Sequence, residues 1–165
     1  LTVAETIGRQ CGNIPLILAG GHTPRNDPAY PWMMRTRLGV CLVHELRVWD
    51  WGPEEHYALY GKLFEFGYGL PECRVYNYWD EGFPLQVTRT EAKGIVLVNG
   101  PRAIVIVTDY GDGGECTLKL DLTATGLPAT IAAQDLETGA AVPSEAPGVV
   151  SFPLQKHDFR ALLFE

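Results

Sequence analysis

The hydrophobic period of the chain changes near residue 88. From there to the end it reads as short strands parted by turn residues. Gly94 to Val98 (GIVLV) is an apolar strand, and Asn99-Gly100 after it is a strong hairpin signal. Ala103 to Thr108 (AIVIVT) follows, then a second turn at Tyr110 to Gly114 (YGDGG). Thr117 to Leu122 alternates polar and apolar residues, and Thr130 to Ala133 precedes Gln134 to Gly139. Val149 to Leu154 and Phe159 to Phe164 complete the set. Strands at intervals of about 8–16 residues, punctuated by Gly, Pro, Asn and Asp, predict an antiparallel β-sandwich over residues 88–165.

Residues 1–87 have a different texture. Ile14 to Ala19 (IPLILA), Leu38 to Val43 (LGVCLV) and Arg74 to Trp79 (RVYNYW) are short runs of the kind found in strands buried on both faces of a parallel sheet. Between them lie helical segments. Pro31-Trp32-Met33-Met34 opens a short one. Pro53-Glu54-Glu55 starts a longer one, with Tyr57, Tyr60 and Phe64 on one face and Gly67 and Gly69 as stops. This is βα repetition, and the class expected is α/β plus all-β. Three strands cannot close an eight-stranded barrel, so the segment reads as a small open sheet or the last three βα units of a (β/α)8 barrel. The chain opens at Leu1 inside a helix-like stretch, which points to a processed or excised piece.

Composition narrows the function. Apolar residues make up 46% of the 165, and the formal charge is −7. No basic run supplies a footprint for a phosphate backbone, so nucleic acid is not an expected partner. No apolar stretch is long enough for a membrane-spanning helix. Cys11, Cys41, Cys73 and Cys116 form no C-x-x-C pair; Cys41 reads as a core thiol. Tyr110 to Glu115 lacks the length and ligands of an EF-hand loop and reads as a hairpin turn. No H-E-x-x-H motif is present. His44 and Glu45, as strand neighbours, would point to opposite faces. Neither metal nor cofactor is expected.

RVYNYWDEGFPLQV, then KGIVLVNGPRAIVIVTDYGDGGECTLKLDL, then LPATIAAQDLETGAAV, then FPLQKHDFRALLFE resembles the end of many glycoside hydrolases. There a catalytic barrel is followed by a small antiparallel sandwich. The likeness spans residues 74–165 and includes a D-x-x-T-G segment, Asp135 to Gly139, and a D-F-R-x-L strand, Asp158 to Leu162. It implies an architecture more than an activity. In related N-acetylhexosaminidase-like enzymes an adjacent Asp-Glu pair on an earlier strand carries catalysis. Asp80-Glu81 is such a pair but follows the last strand, so that role does not transfer.

Strand carboxyl ends face the active site of a barrel. That expectation gathers His22, His44, Glu45, Asp50, Asp80 and Glu81 at one rim with Trp49, Trp51, Tyr78 and Trp79. Glycoside hydrolysis needs two carboxyls, roughly 5 Å apart for retention and roughly 6.5–9.5 Å for inversion. Glu45, Asp80 and Glu81 are the candidate catalytic carboxylates, Glu45 first because it follows an apolar run. Trp49, Trp51, Asp50, Tyr78, Trp79 and His44 are the candidate sugar contacts, the rings stacking on apolar sugar faces. The competing readings are a loop acid paired with Arg47 for Glu45, a turn cap for Asp80 and Glu81, and packing for the tryptophans. The expected partner is a glycan, with self-association or association with the rest of the barrel, at an extracellular or cell-surface location. A non-catalytic carbohydrate-binding module and a self-assembling structural protein are the alternatives.

Overall fold

A computed structural model of the chain describes residues 16–17, 24–48 and 54–165. The first part holds β1 (Leu16–Ile17), α1 (Tyr30–Val43), β2 (Arg47–Val48) and α2 (Glu54–Phe66). β1 and β2 pair in parallel, Leu16 opposite Arg47 and Ile17 opposite Val48. Strand and helix alternate here around one parallel pair, but not on the runs expected: β2 was not among them. Leu38 to Val43, read as a strand, is the last part of α1, where Leu38, Leu42 and Val43 are buried. A short apolar run is ambiguous between strand and buried helix, and here length decides: it continues a 14-residue helix.

The remaining strands are β3 (Arg74–Asn77), β4 (Leu85–Val87), β5 (Ala92–Asn99), β6 (Arg102–Asp109), β7 (Gly113–Leu120), β8 (Ala133–Asp135), β9 (Ala141–Val142), β10 (Ser144–Ala146), β11 (Val149–Gln155) and β12 (Phe159–Phe164), with a four-residue helix α3 (Leu122–Thr125). They form a six-stranded sheet, β3-β5-β6-β12-β8-β9, and a four-stranded sheet, β10-β11-β7-β4. Every pairing within these two sheets is antiparallel. The run RVYNYW is thus corrected: Arg74–Asn77 is not a parallel strand but an edge of the six-stranded sheet, paired antiparallel with β5. The sandwich sheets start at Arg74, ahead of residue 88, because β3 and β4 already pair into them.

The six-stranded sheet is buried on both faces. On β5 and β6, Val96, Val98, Ala103, Val105 and Val107 meet the four-stranded sheet in one core. Their neighbours Ile95, Leu97, Ile104 and Ile106 meet α1 and α2 in a second. Antiparallel register keeps the sets apart, Val96 opposite Val105 and Leu97 opposite Ile104. Each buried Ile or Leu contributes about 1.5–3 kcal/mol. This explains the continuous apolar runs GIVLV and AIVIVT, since the helices cover the face that would otherwise be polar. In the outer four-stranded sheet β7 and β11 alternate: Cys116, Leu118 and Leu120 are buried while Glu115 and Lys119 are exposed.

Two further expectations change. The aromatic stripe of α2 faces outward, Tyr57 and Phe64 being exposed, and Leu59, Leu63 and Phe66 make the buried face. Tyr110 to Gly114 is not a hairpin turn; it carries the chain from β6 in one sheet to β7 in the other. Asp109, fully buried, fastens that corner, accepting from Gly113 N at 2.7 Å and from Arg89 Nη2 at 3.2 Å. The Asn99-Gly100 signal does mark a hairpin, the one joining β5 to β6.

The D-x-x-T-G and D-F-R motifs dock on one another. Asp135 accepts from the backbone N–H groups of Glu137 and Thr138 and from Arg160 Nη1 at 2.7 Å. Glu137 and Asp158 then both accept from Arg35 on α1, whose guanidinium lies 4.3 Å from the Phe159 ring centroid. The helix layer is clamped to the sandwich through these motifs. α1 also comes close to the sheet at Gly39, where a Cβ would sit 2.7 Å from Thr108 Oγ1.

Candidate functional site

α1 ends in a Schellman cap. Leu46 N donates to Cys41 O at 2.9 Å and Glu45 N to Leu42 O at 3.3 Å, the paired bonds of that motif. The residue between helix and exit is left-handed, a position glycine usually fills, yet here it is Glu45 with φ 53°. A non-glycine residue there costs roughly 1–2 kcal/mol. Its carboxylate gains a partner in return, since Asn77 Nδ2 donates to Glu45 Oε1 at 2.8 Å. Glu45 therefore follows a helix and not a strand.

Asn77 ends β3 and ties two candidate acids together. Its backbone N–H donates to Asp80 Oδ2 at 2.8 Å, and Asp80 N returns a bond to Asn77 O at 2.8 Å. Asp80 thus closes the turn through which the chain leaves β3. Glu81 lies exposed in the next turn. Asn77 is buried, and among the described residues its Oδ1 has no partner.

His44, Tyr78 and Trp79 pack over this turn. His44 Nδ1 lies 2.8 Å from Val40 O, a pure acceptor, so Nδ1 carries the proton. Nε2 then accepts from the Tyr78 hydroxyl at 2.9 Å. Trp79 stacks beside the imidazole at a centroid distance of 6.1 Å, and Tyr78 meets both rings edge-on. Burial lowers the His44 pKa, the Val40 carbonyl opposing it in part. Burial also raises the Tyr78 hydroxyl and, with Tyr78 and Cys41 nearby, the Tyr110 hydroxyl. Tyr110 Oη, buried, has no partner among the described residues. His44 is buried under these rings, and Tyr78 and Trp79 are half-buried.

The structure therefore brings His44, Glu45, Tyr78, Trp79 and Asp80 together and leaves Glu81 apart. Trp49, Asp50, Trp51 and His22 lie outside the described residues. The gathering has a different cause from the one expected. With Leu38–Val43 helical, His44 and Glu45 precede β2 and sit at its amino end. The premise that they leave a strand's carboxyl end, and that they alternate faces along a strand, does not hold. Asn77, which joins Glu45 to Asp80, was missed; its only sequence signal is its place between an edge strand and the Tyr78-Trp79-Asp80 turn. Arg35 was missed as well, since its acceptors lie 102 and 123 residues away. Among the described residues no group of three or more His, Cys, Asp or Glu could hold a metal ion, and no helix is long and apolar enough to cross a membrane.

No protein-family model matches the chain, and a search of curated proteins finds no match. Solved structures do match in fold. A candidate α-N-acetylgalactosaminidase of Bacillus halodurans aligns with a TM-score of 0.55 at 13% identity, over 90% of this chain and 35% of that one. A GH27 β-L-arabinopyranosidase of Geobacillus stearothermophilus aligns with a TM-score of 0.49 at 10% identity, over 79% of this chain and 30% of that one. An α-amylase of Anoxybacillus aligns with a TM-score of 0.46 at 14% identity, over 78% and 32%. The chain spans about a third of the length of these proteins. The chain shares its fold with one part of the Bacillus halodurans protein.

Proposed function

We propose that the chain is the C-terminal part of a glycoside-hydrolase-like protein: two closing βα units of a (β/α)8 barrel, β1-α1 and β2-α2, followed by a supporting sandwich. The observation that carries this is the fold shared with the Bacillus halodurans protein over 90% of this chain. The parallel β1–β2 pair with one helix after each strand supports the barrel half of the reading. Three units were expected; with RVYNYW in the sandwich and Leu38–Val43 helical, the two proposed rest on β1 and on β2, a strand that was not expected. The step from fold to glycan is an analogy of architecture. The reading carries with it an extracellular or cell-surface location.

In this reading the carboxyl ends of β1 and β2 face substrate. The segment that follows β2 in sequence holds Trp49, Asp50 and Trp51, and these are the proposed sugar contacts. His44, Glu45, Asn77, Tyr78, Trp79 and Asp80 lie at the opposite end of β2. They join α1 to the sandwich, where their geometry serves stability and not turnover. Neither Glu45 nor Asp80 is then a catalytic carboxylate, and the rest of the barrel supplies the acid and base. The two-stranded parallel sheet of the described residues is too small to stand as a barrel wall, so association with the remaining strands, or with another copy, completes it.

The test is retention of the 165-residue chain on immobilised glycans, beside Trp49→Ala, Trp51→Ala and Trp79→Ala, with aryl-glycoside turnover measured in parallel. The expected result is glycan retention lost with Trp49 or Trp51, kept with Trp79→Ala, and no turnover by the chain alone. Absence of retention on every glycan would remove the glycan reading. Loss with Trp79→Ala alone would move the site to the His44 cluster and favour a binding module.

A further inference from the structure

Trp32, in the first turn of α1, is 45% exposed, the one exposed tryptophan among the described residues. Exposure alone says little, since single apolar residues on a surface are ordinary. What sets Trp32 apart is that its ring is held in place. The indole Nε1–H donates to Lys156 O at 3.1 Å. The His157 ring lies beside it, with ring centroids 5.8 Å apart and planes 21° apart. His157 is a non-glycine residue at φ 54° in the turn between β11 and β12. The turn is tied down on its far side, where Lys156 Nζ donates to Asp112 Oδ1 at 2.8 Å.

With its polar edge bonded to the turn, Trp32 still leaves 45% of its surface open to water. A rigid aromatic face open to water binds flat apolar surfaces with little entropy loss. The surroundings select among such ligands. Asp112 and Lys156 flank the turn as a matched pair, both largely exposed, offering an acceptor and a donor without net charge. That combination suits a pyranose ring, which has a C–H face for the indole and amphoteric hydroxyls around its rim. A cation would meet Lys156, and an anion would meet Asp112.

We propose that Trp32, beside His157, is a separate carbohydrate-binding platform on the outer surface of the helix layer. It is distinct from the Trp49–Trp51 segment and from the His44 cluster. In the βα order proposed, the helix that follows β1 begins on the side of the strands' carboxyl ends, the end proposed to face substrate, and Trp32 stands in its first turn. There it holds a neighbouring unit of the same glycan. The inference rests on the glycan reading for its ligand class, and on the geometry of Trp32 for its place.

The experiment uses the 165-residue chain with N-acetylgalactosamine, L-arabinose and maltotriose as probes, followed through the indole N–H signals by NMR. The Trp32 signal is assigned from Trp32→Phe. Addition of at least one sugar should shift that signal in the wild-type chain. Trp32→Ala should weaken binding of that sugar about tenfold, the scale of one aromatic contact, and His157→Ala, which frees the ring without removing it, should weaken it less. Because the wild-type signal is read directly, a misfolded variant does not blunt the test. A Trp32 signal that ignores all three sugars overturns the proposal. So does one that moves with protein concentration alone, which would assign the ring to contact between copies. Sugar shifts confined to the other indoles would overturn this platform and leave the glycan reading standing. A response at Trp32 alone, unchanged by Trp49→Ala and Trp51→Ala, would uphold the platform and remove the proposed contacts after β2.

Discussion

The guanidinium of Arg35 meets the Glu137 carboxylate with two parallel bonds, Nη1 to Oε1 at 2.9 Å and Nη2 to Oε2 at 3.0 Å. Its Nε donates to Asp158 Oδ1 at 2.6 Å. One side chain of the helix layer thus holds two acids of the sandwich, both less than a quarter exposed. Arg35→Ala leaves both without this partner and should destabilise the fold by about 2 kcal/mol. Arg35→Lys should recover less than half, because an ammonium cannot form the two-pronged bond. Urea unfolding of the three proteins checks the order.

Gly39 is the second point of close approach. Alanine in mid-helix normally gains up to about 1 kcal/mol over glycine. Here the added Cβ meets Thr108 Oγ1 at 2.7 Å and Phe159 Cβ at 3.3 Å. Thr108 cannot turn away freely, since its hydroxyl donates to Asp158 O at 3.0 Å. Gly39→Ala should therefore destabilise by about 1–3 kcal/mol despite its helix propensity. Thr108→Ala added to it should restore part of the loss, read as a rise in Tm of the double variant over Gly39→Ala.

Glu45 separates backbone strain from side-chain bonding. Glu45→Gly removes the left-handed penalty and the bond from Asn77 together, so it should stay within about 1 kcal/mol of wild type. Glu45→Ala keeps the strain and loses the bond, and should fall about 1–2 kcal/mol below wild type. An alanine variant as stable as the glycine variant would show that φ at this position relaxes.

The fold should weaken in mild acid through His44. Burial holds its folded pKa below the ordinary 6.5. As pH falls, the unfolded chain takes up the proton first. Stability from this group is therefore full above about pH 6.5 and declines below it, levelling only under the folded pKa. Unfolding free energies at about pH 7.5 and about pH 5.5 should differ, and His44→Gln should shrink the difference.

Cys41, Cys73 and Cys116 are free and buried, and burial pushes the Cys41 and Cys116 thiols up to about 11. An alkylating reagent at about pH 8 should leave all three unlabelled in the folded chain and label them in denaturant, as mapped by mass spectrometry. Fast labelling of any of them in the native state would reveal local opening.

The sequence by itself determined the antiparallel sandwich. Asn99-Gly100, the alternation of Thr117 to Leu122 and the Phe159–Phe164 strand are local signals, set by turn chemistry and by which side of a strand meets water. In the earlier residues it marked the helix begun at Pro53-Glu54-Glu55 and an apolar run around β1. Only the tertiary structure decided what Leu38–Val43 is, because six buried apolar residues look alike in a helix and in a strand until their neighbours are known. Only the tertiary structure put Arg74–Asn77 at the edge of the six-stranded sheet and covered both faces of β5 and β6, since burial depends on a helix layer from a distant part of the chain. The site followed the same division. The residue types at 44, 45, 78, 79 and 80 were legible as a polar and aromatic group. Their meeting through Asn77, at the amino end of β2, and the grip of Arg35 on acids more than a hundred residues away, are long-range pairings that no local pattern encodes.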